Sequence, residues 1–182
     1  MNMVFPLLST VIFLPLAVAL VLTLLPRKNT SLVKVFTLVW TILEFGLSLP
    51  LFFNFNEKTA GMQFMENLPW FPEFGIGYTI GVDGISMLLV LLTTFLTVLC
   101  VLCSWNSITD KVKEYHVSFL LLETAMLGAL CSLDLVLFYI FWELMLVPMY
   151  LIIGVFGGPN RVYAAVKFFL FCLLYTSDAA DE

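Results

Sequence analysis

From Leu135 to Gly154 the chain reads LVLFYIFWELMLVPMYLIIG, twenty residues carrying a single charge, Glu143. About 20 apolar residues, rising ~1.5 Å each in a helix, cross a hydrocarbon core of about 30 Å. In lipid the backbone must satisfy its own hydrogen bonds, which a helix does within one segment. Further runs of this kind punctuate the sequence. The spans fall at about 4–25, 32–53, 84–105, 115–132 and 135–156, and another starts near 162. With 62% hydrophobic and 12% charged residues and a mean hydropathy of +1.05, the chain is too apolar for a soluble fold. The expected fold is all-α: a polytopic transmembrane helix bundle of about five complete spans plus the start of a sixth. Met1 to Phe5 has no basic leader region, so the first run reads as a retained span and not a cleaved signal.

Lys and Arg favour the cytoplasmic side of a membrane protein. Arg27, Lys28 and Lys34 mark the first connection, Lys58 alone the second, and Lys111 and Lys113 the third. The fourth, around Leu133-Asp134, has none, and the fifth has Arg161 with Lys167 just beyond. This alternation places the N-terminus outside and agrees with the span count. The formal charge of −5 owes much to Asp178, Asp181 and Glu182 at the end of the chain, and there is no basic patch for nucleic acid. The long connection from Asn54 to Val82 carries Pro69-Trp70-Phe71-Pro72 and glycines 75, 77 and 81, which suit turns or a short hairpin at the outer interface.

Three acids lie inside spans: Glu44, Glu123 and Glu143. A carboxylate near the bilayer centre costs roughly 2.5–3.5 kcal/mol on insertion scales, so an ion or proton site is its default reading. Glu123 and Glu143 stand at equal sequence distance from the turn near Leu133, which puts both about 15 Å from that surface. Two acids at one depth suit a proton relay. Glu44 either joins that set or makes a helix–helix hydrogen bond. Burial disfavours the charged carboxylate and a nearby cation favours it, so a proton-handling Glu143 needs a basic partner. Lys167 is the candidate. Pro148 removes a backbone donor within a turn and a half of Glu143, which should loosen the helix there. Asp83 and Asp134 are placed to cap the spans that follow them, and His116 reads as interfacial. Cys100, Cys103 and Cys131 read as buried thiols, because no zinc-type set accompanies the CxxC spacing.

The segments Gly81-Val-Asp83-Gly-Ile-Ser86, Phe138-Tyr-Ile-Phe-Trp142-Glu143-Leu-Met-Leu-Val-Pro148-Met-Tyr150, Gly157-Gly158 and Arg161-Val-Tyr163-Ala-Ala-Val-Lys167-Phe-Phe169 carry a family likeness. Together they resemble the antiporter-like subunit M (chain 4) family of proton-pumping NADH:quinone oxidoreductase, respiratory complex I, over almost all of residues 1–171. Phe156 stands where that family often has Trp. The resemblance implies that the chain is the N-terminal part of a larger helical subunit. It implies that Glu143 matches the essential glutamate of helix five, whose lysine partner lies on a later helix, and that Glu123 is a supporting acid of helix four. It further implies a translocase subunit with no cofactor or redox centre on this chain. The implied partners are the lipid bilayer, protons and other membrane subunits of complex I, notably its L-like and N-like members. A bacterial inner membrane is the expected location. A multi-subunit sodium/proton antiporter or a membrane-bound hydrogenase is the alternative assignment. Residues 172–182, CLLYTSDAADE, break the apolar pattern after Tyr175 and resemble a translated sequencing adapter, so the tail is expected to be non-native.

Overall fold

The computed structural model describes residues 6–24, 26, 29–59, 61–71, 73 and 76–181, with side chains as far as residue 174. Arg27, Lys28 and Gly75, which enter the sequence reading, lie outside the described residues. The elements in chain order are α1 (Leu7–Leu24), α2 (Thr30–Phe53), β1 (Gln63–Phe71), β2 (Ile76–Val82), α3 (Gly84–Ser107), α4 (Val112–Cys131), α5 (Leu135–Phe156) and α6 (Arg161–Asp181). The chain is mostly helical as expected, and the one sheet lies where turns or a short hairpin were expected. The second connection folds into an antiparallel hairpin, with Glu66 opposite Ile80 and Leu68 opposite Tyr78. Among the described residues, α1, α2, α3 and α5 are long and apolar enough to cross a membrane. α6 runs on to Asp181, past the expected stop at Tyr175; no Gly or Pro after Pro159 interrupts it and Ala179-Ala180 favour helix.

α4 is the axis. Eleven of its twenty residues are buried, against four of twenty-two in α5, and it packs against α1, α2, α3 and α5. Its polar content follows from that place: a helix sheathed by others need not match the acyl chains, whereas α5 exposes Phe138, Ile140 and Trp142.

The connections gather at two ends. At one end Lys113 donates to the Thr23 carbonyl (2.6 Å) and Lys34 to the Trp105 carbonyl, each supplying a cation to the last turn of a neighbouring helix. Arg161 donates to the Val155 carbonyl there (3.0 Å). Residues 107–111 line one groove with Val155, Phe156 and Arg161.

At the other end the hairpin docks on the bundle. Glu66 accepts from the backbone N–H groups of Leu8 (3.0 Å) and Ser9 (3.2 Å) and from the Ser9 hydroxyl, which caps α1 from 57 residues away. The Ser9 hydroxyl also lies 2.8 Å from the Tyr78 hydroxyl. The turn between α4 and α5 joins the edge of β2 through Leu133 N–H to the Thr79 carbonyl (2.9 Å). The seam is close at Gly81, where a Cβ would lie 2.9 Å from Leu133 Cδ1 and that side chain would have to shift.

Both expected caps form. The Asp83 carboxylate accepts from Ser86 N–H (2.7 Å) while the Ser86 hydroxyl accepts from Asp83 N–H (2.9 Å), a reciprocal capping box. Those Ser86 groups hold the Asp83 carboxyl below the usual aspartate range. Asp134 accepts from Val136 N–H (2.8 Å) and Leu137 N–H (3.0 Å), and from Gly77 N–H of β2 (3.3 Å). α5 runs unbroken through Pro148, so the loosening expected there does not interrupt the helix.

Candidate functional site

The three intramembrane acids share one level. Glu44 lies nine residues from the hairpin-side end of α2, Glu123 eight from that end of α4, and Glu143 eight from that end of α5. At ~1.5 Å per residue each is about 12–14 Å in from that surface. Helix geometry then decides which acids meet. Glu44 belongs to the stripe Thr37, Thr41, Glu44, Ser48, whose 4-3-4 spacing keeps one face of α2 turned inward, and all four are buried. Thr94, Thr97 and Ser104 make the matching buried face of α3. A hydrogen bond between the Ser48 and Thr94 hydroxyls (3.1 Å) joins the two faces. Glu123, 1% exposed, faces them from α4.

Glu123 is therefore turned toward Glu44, 2% exposed, and toward the Thr97 hydroxyl. The two carboxyls are within electrostatic reach of each other. The sequence reading paired Glu123 with Glu143 by depth. The structure keeps the acids at one level along their helices and brings Glu123 within electrostatic reach of Glu44. Glu143 is half-buried on α5, next to the buried Phe141 and Leu146. Lys167 is exposed on α6, with its ammonium 5.9 Å from the centre of the Tyr163 ring. Lys167 as the partner of Glu143 is a reading of the residues, whereas the resemblance puts that lysine on a later helix.

The buried hydroxyls mostly bond to their own helices: Thr37 to the Val33 carbonyl (2.9 Å), Thr41 to Leu38 (3.0 Å) and Thr97 to Thr93 (3.0 Å). Among the described residues, the buried side-chain atoms left without a hydrogen-bond partner are Glu44 Oε1, both Glu123 oxygens and His116 Nδ1. All of them lie on α2 and α4. His116, near the start of α4, is 1% exposed and lies within electrostatic reach of Lys34 on α2. Cys131 is buried, but Cys100 and Cys103 are exposed on α3, contrary to the reading of all three as buried. Among the described residues no three His, Cys, Asp or Glu side chains converge as a metal site would require.

A family model described as NADH-ubiquinone oxidoreductase chain 4, amino terminus, matches residues 7–133. One described as the transmembrane part of NADH:quinone oxidoreductase/Mrp antiporter matches residues 132–177. The NADH-quinone oxidoreductase subunit M of Rhodobacter capsulatus is 46% identical over 172 residues, covering 92% of this chain and 33% of that protein. A chain of respiratory complex I from Thermus thermophilus with bound NADH is similar at a TM-score of 0.75 and 28% identity, covering 92% of this chain and 33% of that one. The Mrp complex of a Dietzia species is similar at a TM-score of 0.73 and 16% identity, over 90% of this chain and 17% of that one, a likeness of fold alone. The chain thus spans about a third of the length of the curated relatives it matches.

Proposed function

Because this chain belongs to the family of NADH-ubiquinone oxidoreductase chain 4, we propose that it forms the entry half of a proton path in the membrane part of an NADH:quinone oxidoreductase. In this reading all six helices lie in the membrane, the hairpin end faces outward and the end bearing Lys34, Lys111, Lys113 and Arg161 faces the cytoplasm. The observation that carries it is the common level of Glu44, Glu123 and Glu143, near the middle of their helices. Three carboxyl groups held at mid-membrane are costly unless their protonation is used. Glu143 takes up and releases a proton as a cation approaches and withdraws, and Glu123 supports it from α4. Lys167, or a lysine of a longer chain, is the cation. The partners are the neighbouring membrane subunits, including L-like and N-like members, and the chain itself needs no cofactor. A bacterial inner membrane is the location this reading favours.

The test is Glu143→Gln in the full-length subunit, assembled in its complex and reconstituted in vesicles. Proton pumping should fall by about tenfold or more while assembly persists. Unchanged pumping defeats the reading. The fold shared with an Mrp complex favours one rival, sodium/proton antiport. Under that rival, vesicles holding the assembled protein move protons in answer to a sodium gradient without any electron donor.

A further inference from the structure

Depth alone does not explain why two acids of different helices turn away from lipid and toward each other. Glu44 and Glu123 are 2% and 1% exposed, and three of their four oxygens have no hydrogen-bond partner. A carboxylate is an acceptor only, so two ionised groups here would repel each other and leave those oxygens unsatisfied in a low-dielectric interior.

The groups facing the pair supply no counter-charge. From α3 come the Thr97 hydroxyl, which already donates to its own helix, and the Cys100 thiol. α1 has no charged residue along its length. On α4 the nearest ionisable group toward the basic end is His116, seven residues or about 10 Å along the helix. On α2 it is Lys34, ten residues or about 15 Å away, with its ammonium on the Trp105 carbonyl. α5 brings Glu143, another acid. Among the described residues no cation stands beside the pair, and the Thr97 hydroxyl has one proton to divide between the Thr93 carbonyl and Glu123, so a proton between the two carboxyls is the donor at hand. A charge-assisted bond between an acid and its conjugate base is roughly twice as strong as one between neutral groups.

We propose that Glu44 and Glu123 form a carboxyl–carboxylate couple holding one exchangeable proton, a proton-binding site separate from Glu143 and enclosed by α2, α3 and α4. It deepens the proton-path reading and rests on it for its purpose, though not for its chemistry. A second proton makes the couple neutral, and returning that proton to the next base restores one negative charge. Only O–H bonds form and break. The buried face of α2 runs through Thr37 and Thr41 toward Lys34 and His116, and places the couple at the end of a polar seam that starts at the basic end.

The experiment is infrared spectroscopy of the assembled full-length complex, reading the protonated-carboxyl band and its shift in heavy water. Parent, Glu44→Gln, Glu123→Gln and the double variant are compared at neutral pH. Gln mimics the protonated acid, so a couple sharing one proton loses its whole band in either single variant, and the double variant loses nothing more. Halving of the band in each single variant means two independent neutral acids and overturns the proposal. No change in either means two ionised or unrelated groups and overturns it equally. Either single variant decides the question if the other fails to assemble. The band should persist in Glu143→Gln, so the couple stands or falls apart from whatever that variant does to pumping.

Discussion

Replacing Gly128 by alanine is expected to destabilise the contact between α4 and α5 that carries Glu143. A Cβ built on Gly128 runs into the Phe141 ring, meeting Cδ1, Cε1 and Cγ together. The ring has little room to move: Phe141 is 6% exposed, and Phe13 lies beside it with ring centres 6.3 Å apart. Overpacking of this kind costs about 1–3 kcal/mol, while removing a mid-helix glycine returns about 1 kcal/mol of helix propensity. The balance is a loss of about 0–2 kcal/mol. Phe141 is two residues from Glu143, so a helix pushed outward at the ring also moves the acid. The assay is thermal inactivation of the assembled complex together with vesicle pumping, for Gly128→Ala, Phe141→Leu and the pair. Trimming the ring makes room for the new methyl group, so the double variant should be less destabilised than the two singles predict, by about 1 kcal/mol or more. Strict additivity of the two single variants refutes the close approach.

Glu66→Ala removes the acceptor of the Leu8 and Ser9 N–H groups; it should cost about 1 kcal/mol and speed hydrogen exchange at those two amides first. Asp134 is held below the usual aspartate range by the N–H groups of Leu137, then Gly77 and Val136. The folded form therefore binds its proton less readily than the unfolded chain, and the stability this supplies is complete above the unfolded value. It is lost as pH falls through the lower folded value, in a window at and below about pH 4. Acid unfolding of Asp134→Asn should lack that step, as followed by exchange at Val136 and Leu137. Lys111 sits in the left-handed region at φ 50°, so Lys111→Gly should stabilise by about 1 kcal/mol, read as a rise in midpoint temperature.

The helices were legible because lipid imposes one rule along each of them. The expected span 135–156 coincides with α5, and 84–105 falls two residues short of α3. Their caps were legible for a local reason, since Asp83 and Asp134 act on residues two or three positions away. The cap on α1 was not, because Glu66 reaches it across 57 residues, and nothing near Leu8 in the sequence names the acceptor. Glu44 with Glu123 fails to show for a third reason. Depth can be counted along a chain, but the rotation of one helix against another is set by packing and leaves no trace in the spacing of one segment alone.

That difference explains why α4, the least apolar by mean hydropathy of the five helices whose side chains are fully described, is also the most enclosed. A helix that must resemble acyl chains is apolar along its length, and α4 is not among the four described helices long and apolar enough to cross a membrane. α1, α2, α3 and α5 carry the exposed apolar faces instead, and the inward faces of α2 and α3 repeat the polar character of α4 in Thr41, Glu44, Ser48, Thr94 and Thr97. Polar residues are tolerated here because helix faces its like, and each hydroxyl is satisfied by its own backbone. The carboxyls cannot be satisfied that way, since an ionised carboxylate has no proton to give a carbonyl. The same enclosure that makes room for Thr and Ser leaves Glu44 and Glu123 dependent on each other, and a proton is the smallest thing that can settle the difference between them.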